Sequence, residues 1–207
     1  MATPQKISVQ PIIPTGSSLY WMWENELLPE LCQDIIDRAG HAFEAGKVMN
    51  PPDTYDGNIV NNKVRKTNIH WNTDQDLYEI AFHYMHLANK NGGWNFQIDS
   101  AEDLQIGQFP KAGHYDWHAD GLGAVINEPQ NKIRHGQTRK ISMVVWLNED
   151  FEGGDFEFHK CYMKNNVIKP TQGTIIMFPS WILHRVTPVT KGTRYSLASW
   201  FLGKPIR

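Results

Sequence analysis

From Trp94 onward the sequence breaks into short apolar runs, each too brief for a helix. They are "WNFQID", "LQIGQF", "ISMVVWLN", "GDFEFH", "GTIIMF", "WILHRV" and "RYSLASWFL". The runs are rich in β-branched and aromatic residues, and Gly, Pro, Asn and Asp separate them. Many short strands at close spacing predict a sandwich or barrel. This segment is expected to be an all-β core.

The N-terminal part reads as a mixed elaboration on that core. "SSLYWMW" (Ser17–Trp23) is aromatic-rich and reads as a strand. In "LLPELCQDIIDRAGHAFEAG", Leu31, Ile35, Ile36, Ala39 and Phe43 share a helical stripe. Pro29 suits the start of that helix, and Gly46 is its expected stop. "NPPDTYDGNIVNN" (Asn50–Asn62) is dense in turn residues, so a mobile loop is expected over residues 49–67. A second helix is expected from an N-cap at Thr73 to Ala88, closed by "NGG". The fold class expected is therefore α+β, mainly β. One domain covers 1–207, with an elaboration over 1–93 and the core over 94–207.

Composition narrows the function classes. A chain of 207 residues that is 41% hydrophobic and 12% aromatic can bury a sizeable core. The formal net charge of -2 gives no global pull toward nucleic acid or anionic lipid. The basic run "NKIRHGQTRK", with Lys132, Arg134, Arg139 and Lys140, is the local exception. Two distant cysteines, Cys32 and Cys161, do not make a disulfide scaffold. No apolar stretch has signal-peptide or membrane-span length, so a cytoplasmic protein without membrane contact is expected.

The chemistry concentrates in "AGHYDWHADG", Ala112 to Gly121. It holds two His-x-Asp triplets, His114/Asp116 and His118/Asp120. On a straight strand all four side chains share one face. At roughly 3.3 Å per residue the outer two lie too far apart for one ion. A metal takes one pair and a third ligand from elsewhere, for which His184 is the candidate. A turn at Gly192 would let the strands carrying His184 and Arg194 pair and face one cavity. Two histidines and one carboxylate suit non-haem iron with open positions. Arg194 could take a carboxylate through its planar fork.

These residues resemble the 2-oxoglutarate- and Fe(II)-dependent oxygenases of the prolyl 4-hydroxylase type. The resemblance rests on Phe109, Gly113 and Tyr115 ahead of His118-x-Asp120, then "WLNEDFEGGDFEF", then His184, Arg194 and Ser196. It covers Leu104 to Leu202 and selects the second triplet. It implies a double-stranded β-helix core of jelly-roll or cupin kind. It implies Fe(II) on His118, Asp120 and His184, and 2-oxoglutarate held by Arg194 and Ser196. Trp146 and Phe109 stand where the family usually has tyrosines, so they line an altered cosubstrate pocket. Dioxygen is the other substrate, with ascorbate a candidate reductant.

The resemblance further implies hydroxylation of an unactivated C–H bond, with a prolyl residue in a peptide or protein as target. Related halogenases keep the Asp120 position small; a carboxylate there points to hydroxylation. Asp116, Arg65, Trp200 and Arg139 are the candidate substrate contacts, and Trp71 is a further aromatic beside them. Alternatives are another amino-acid side chain, a free amino acid or a nucleobase as substrate. Two others are a non-catalytic ligand-binding barrel and a zinc hydrolase on the same ligands.

Overall fold

The computed structural model describes residues 17–49, 58–163 and 166–205. In chain order these form β1 (Trp21–Trp23), α1 (Pro29–Ala39), β2 (Glu44–Ala45), β3 (Val48–Met49), β4 (Asn58–Ile59), β5 (Arg65–Lys66), β6 (Asn68–Asn72) and α2 (Gln75–Asn91). Next come β7 (Ser100–Ala101), β8 (Leu104–Phe109), β9 (His114–His118), β10 (Thr138–Trp146), β11 (Glu152–Gly153) and β12 (Phe156–Phe158). The chain continues through β13 (Val167–Ile168), β14 (Ile175–Pro179), β15 (His184–Val186), β16 (Val189–Lys191) and β17 (Arg194–Gly203).

An eight-stranded sheet runs β1-β14-β10-β17-β8-β6-β2, with β7 paired to β17. A five-stranded sheet runs β13-β12-β15-β9-β5. The two make the double-stranded β-helix. Strands before Trp94 take part in both sheets: β1, β2 and β6 in the larger, β5 in the smaller.

Alternation along the strands separates two cores. On β10, Ile141, Met143 and Val145 face the helices and join Ile35, Leu77, Met85 and Phe201. Val144 and Trp146 face the other way, into the space between the sheets, with Phe109, Phe156, Phe158 and Phe178. Phe201 is fully buried and meets Phe82 of α2 edge-on at 5.3 Å. Phe201→Ala is expected to cost about 3–5 kcal/mol in urea denaturation, because it empties the seam between helix and sheet.

Several expected boundaries move. The first helix ends at Ala39, because Gly40 adopts φ 52 and turns the chain. Phe43 therefore lies beyond the helix, and Gly46 does not stop it. The second helix begins one residue after an Asp74 N-cap rather than at Thr73, and runs on to Asn91. "WNFQID" forms no strand. Of the loop expected over 49–67, residues 50–57 lie outside the described residues, while β4 and β5 fall within its later part. Among the described residues no helix is long and apolar enough to cross a membrane.

Candidate active site

The larger sheet supplies Arg194, Ser196 and Trp200 from β17, Phe109 from β8, and Ser142 and Trp146 from β10. The smaller sheet supplies His118 and His184. His184 and Arg194 do not lie on paired strands as expected. β15 pairs with β9 and β12, whereas β17 belongs to the opposite sheet. The turn at Gly192 carries the chain across from one sheet to the other, so the two residues reach the barrel from different walls.

His118, Asp120 and His184 come together, with one potential ligand atom from each lying within 4.8 Å of the others. The Nε2 atoms of His118 and His184 are each 3.6 Å from an Asp120 oxygen. Backbone contacts aim both imidazoles. His118 Nδ1 donates to the Asp116 carbonyl at 2.7 Å, and His184 Nδ1 donates to the Ile182 carbonyl at 2.8 Å. Both Nε2 lone pairs thus converge on the carboxylate. Burial, and then the neighbouring His184, push His118 down to about 3, so its ring is neutral. Burial alone would raise the Asp120 carboxyl. The adjacent imidazoles, Arg139 and the Ser142 hydroxyl hold it below the usual carboxylate range. Two imidazoles and a carboxylate form a donor set for a divalent transition metal.

Ser142 was not singled out by the sequence. Its hydroxyl donates to Asp120 Oδ2 at 2.6 Å and lies 2.9 Å from Ser180 Oγ. The available signal was a lone hydroxyl in "ISMVVW", on the same face as Val144 and Trp146. Ser142→Ala is expected to weaken metal binding about tenfold by freeing the carboxylate to rotate, as Co(II) titration would show.

The expected common face of His114, Asp116, His118 and Asp120 is not observed. His184 pairs with His118 and Val186 with Tyr115, so β9 has one residue more than β15 over this stretch. That bulge brings Tyr115, not Asp116, beside His118. Asp116 is exposed, and its carboxylate accepts the Trp117 N–H at 2.8 Å. His114 is tied to backbone, with Nδ1 3.1 Å from the Ala112 carbonyl and Nε2 3.3 Å from that of Lys63.

Arg194 is 1% exposed, and its Nε and Nη2 have no hydrogen-bond partner. Nη1 donates to Ser196 Oγ at 3.3 Å. The guanidinium lies 4.9 Å over the Phe109 ring and 5.3 Å from that of Trp146. Gly154, at φ 62, makes room for it, since a Cβ there would sit 3.1 Å from Arg194 Cδ. The four residues expected at the cosubstrate pocket therefore cluster. A buried cation with two unpartnered nitrogens suits a carboxylate ligand.

The remaining candidates lie nearby. Arg139 grips Glu102 bidentately at 2.6 and 2.7 Å and donates to the Asp120 carbonyl at 3.1 Å. Its plane stacks 4.4 Å over Trp200, whose ring is 6.4 Å from that of Trp71. Arg65 is buried, bonds Thr67 and Gln105, and lies 4.7 Å over the Tyr115 ring.

The family model of the 2OG-Fe(II) oxygenase superfamily matches residues 104–202, the stretch that carries every residue of the triad and the Arg194 pocket. Residues 104–202 are thus similar to the 2OG-Fe(II) oxygenases. A PKHD-type hydroxylase of Pseudomonas aeruginosa is 27% identical over 116 residues, covering 52% of this chain and 49% of the relative. The chain thus matches about half the length of that relative. Among solved structures, the viral collagen prolyl hydroxylase of Paramecium Bursaria Chlorella virus-1, in its 2OG complex, has a TM-score of 0.64 at 17% identity, covering 90% of this chain and 97% of that one. A Trichoplax adhaerens prolyl hydroxylase with a hypoxia inducible factor peptide has a TM-score of 0.60 at 17% identity, covering 88% and 83%. The chain therefore has the fold of these prolyl hydroxylases.

Proposed function

We propose that the chain is an Fe(II)- and 2-oxoglutarate-dependent dioxygenase that hydroxylates an unactivated C–H bond, with a prolyl residue of a peptide or protein as its target. The observation that carries this reading is the pairing of two sites. A His-Asp-His triad and a buried arginine with unpartnered nitrogens share one barrel. The triad alone would suit zinc hydrolysis, and Arg194 has no part in that chemistry.

With iron bound, dioxygen and 2-oxoglutarate supply oxidative decarboxylation to succinate and carbon dioxide, coupled to insertion of one oxygen atom into the substrate. The chain's own work is positional. His118, Asp120 and His184 would hold the metal, as two histidines and one carboxylate suit an iron that keeps positions for other ligands. Ser142 fixes the carboxylate. Arg194 and Ser196 receive the far carboxylate of the cosubstrate. Phe109 and Trp146 wall that pocket with apolar surface, which strengthens the Arg194 ion pair by excluding water. Two tyrosine hydroxyls usual in the family are replaced here, so recognition falls on Arg194 and Ser196.

The collagen prolyl hydroxylase of similar fold and the peptide held by the Trichoplax enzyme support a peptide or protein substrate. Arg139 covers Trp200 and also bonds the Asp120 carbonyl, so the Trp200–Trp71 pair offers an aromatic contact for a prolyl ring near the triad. Arg65 lies over the Tyr115 ring. Both cysteines are free, which suits a reducing cytoplasmic setting. The test is a peptide library incubated with enzyme, Fe(II), 2-oxoglutarate and oxygen. A gain of one oxygen on proline, with one succinate per event, is expected. A gain confined to non-prolyl residues would replace the substrate, and absence of any succinate would sink the dioxygenase reading.

A further inference from the structure

The bulge in β9 has a chemical effect on the triad. It turns Tyr115 and His118 to one face and lays their rings 3.5 Å apart, centroid to centroid, at an interplanar angle of 11°. Neutral aromatic rings favour offset or edge-on contact over such a sandwich. Face-to-face overlap is favourable when one ring is electron-poor, because the phenol presents a negative face. An imidazole whose Nε2 binds a divalent cation is electron-poor in this sense.

The Tyr115 ring is held from its other face. The Arg65 guanidinium lies over it at 4.7 Å. Arg65 is itself fixed, with Nε donating to Thr67 Oγ1 at 2.8 Å and Nη2 to Gln105 Oε1 at 2.6 Å. β5 pairs with β9 in the register Arg65↔Tyr115, so the backbone enforces the stack. The Nδ1 bond to the Asp116 carbonyl sets the direction of the His118 ring within its plane. Nothing in that bond prevents the ring from tipping about it. The parallel phenol does.

We infer that Tyr115 is a positioning residue for the metal centre: its ring, backed by Arg65, clamps the His118 imidazole face-on so that Nε2 stays aimed at the metal. The π face also stabilises the imidazole as the metal draws electron density from it. The inference rests on the oxygenase reading only in requiring a divalent metal on His118. It is tested without 2-oxoglutarate or turnover.

Co(II) and Zn(II) are the probes, applied to the full chain. Tyr115→Phe keeps the ring; Tyr115→Leu keeps bulk and removes the π face. Co(II) affinity and visible bands are expected to be unchanged in Tyr115→Phe. In Tyr115→Leu, affinity is expected to fall about tenfold or more, and the bands to shift. Zn(II) absorbs no visible or near-ultraviolet light, so a tyrosine difference band on its addition reports the stacked ring. That band is expected in the wild type and absent in Tyr115→Phe, a comparison that does not depend on the leucine variant folding. Equal weakening in both variants, wild-type affinity and bands in Tyr115→Leu, or no tyrosine band on adding Zn(II) would each overturn the inference. A wild-type chain that binds neither metal would overturn the oxygenase reading along with it, which tells the two failures apart.

Discussion

Arg194→Met is expected to raise the melting temperature of the ligand-free protein and to abolish its stabilisation by 2-oxoglutarate. The side chain is buried, and its Nε and Nη2 have no hydrogen-bond partner among the described residues. Desolvation lowers its pKa to about 9, well below the usual arginine range. Below about pH 9 the group is charged in both the folded and the unfolded chain, and the full penalty of burying it is present. Above about pH 9 the folded chain releases the proton before the unfolded chain does, so stability rises with pH until the unfolded arginine also titrates. An unpaired buried charge costs several kcal/mol, and about 1 kcal/mol moves the melting point of a chain this size by roughly 2–4 °C. Methionine removes the charge and fills the space. In the wild type, the far carboxylate of 2-oxoglutarate restores the missing partner. Losing one side of such a buried pair costs roughly 2–5 kcal/mol, or about 30- to 5,000-fold in affinity. Thermal melts with Mn(II), with and without 2-oxoglutarate, separate the two effects. A lower ligand-free melting point with an intact 2-oxoglutarate shift would place the carboxylate elsewhere.

The same arginine shows what a sequence can and cannot disclose. Its spacing from His184 marked it as a site residue, but its wall of the barrel was misread. A hairpin was the simplest way to bring residues ten apart together, yet the crossing at Gly192 sends them to opposite sheets. The long strands β8, β10, β14 and β17 were legible because apolar and β-branched residues fill them. The end of α1 was not. Phe43 continues the 3.6-residue period, and periodicity cannot register that Gly40 has left helical φ. Alternation failed for a similar reason on β9. It assumes one residue per pleat, and the bulge inserts another, so Asp116 leaves the predicted face and Tyr115 takes its place. Ser142 and Glu102 were illegible for a third reason. Their partners, Asp120 and Arg139, meet them only through the register of strands distant in sequence. Local pattern thus marks candidate ligands and strands, while orientation and the outer hydrogen bonds belong to the assembled sheets.

Two double substitutions in the His-x-Asp stretch are expected to behave as opposites. His118→Ala with Asp120→Ala should abolish Fe(II) binding, while His114→Ala with Asp116→Ala should leave it intact. The four residues alternate along seven positions, so composition and charge change equally in both variants. Only geometry separates them. Both His114 nitrogens already face backbone carbonyls, and Asp116 is turned out at the bulge. His118 is neutral near pH 7, so no proton competes with the metal for its ring. Metal sites of four ligands are worth roughly 10–16 kcal/mol, or about 3 kcal/mol for each ligand. Losing two ligands should therefore weaken binding on the order of 10⁴-fold. Anaerobic titration with Fe(II) and 2-oxoglutarate reads this through a visible charge-transfer band. The band should persist in the His114/Asp116 variant and be missing in the other. The reverse pattern would move the metal four residues upstream, and neither the bulge nor the Ser142 bond could then be part of its site.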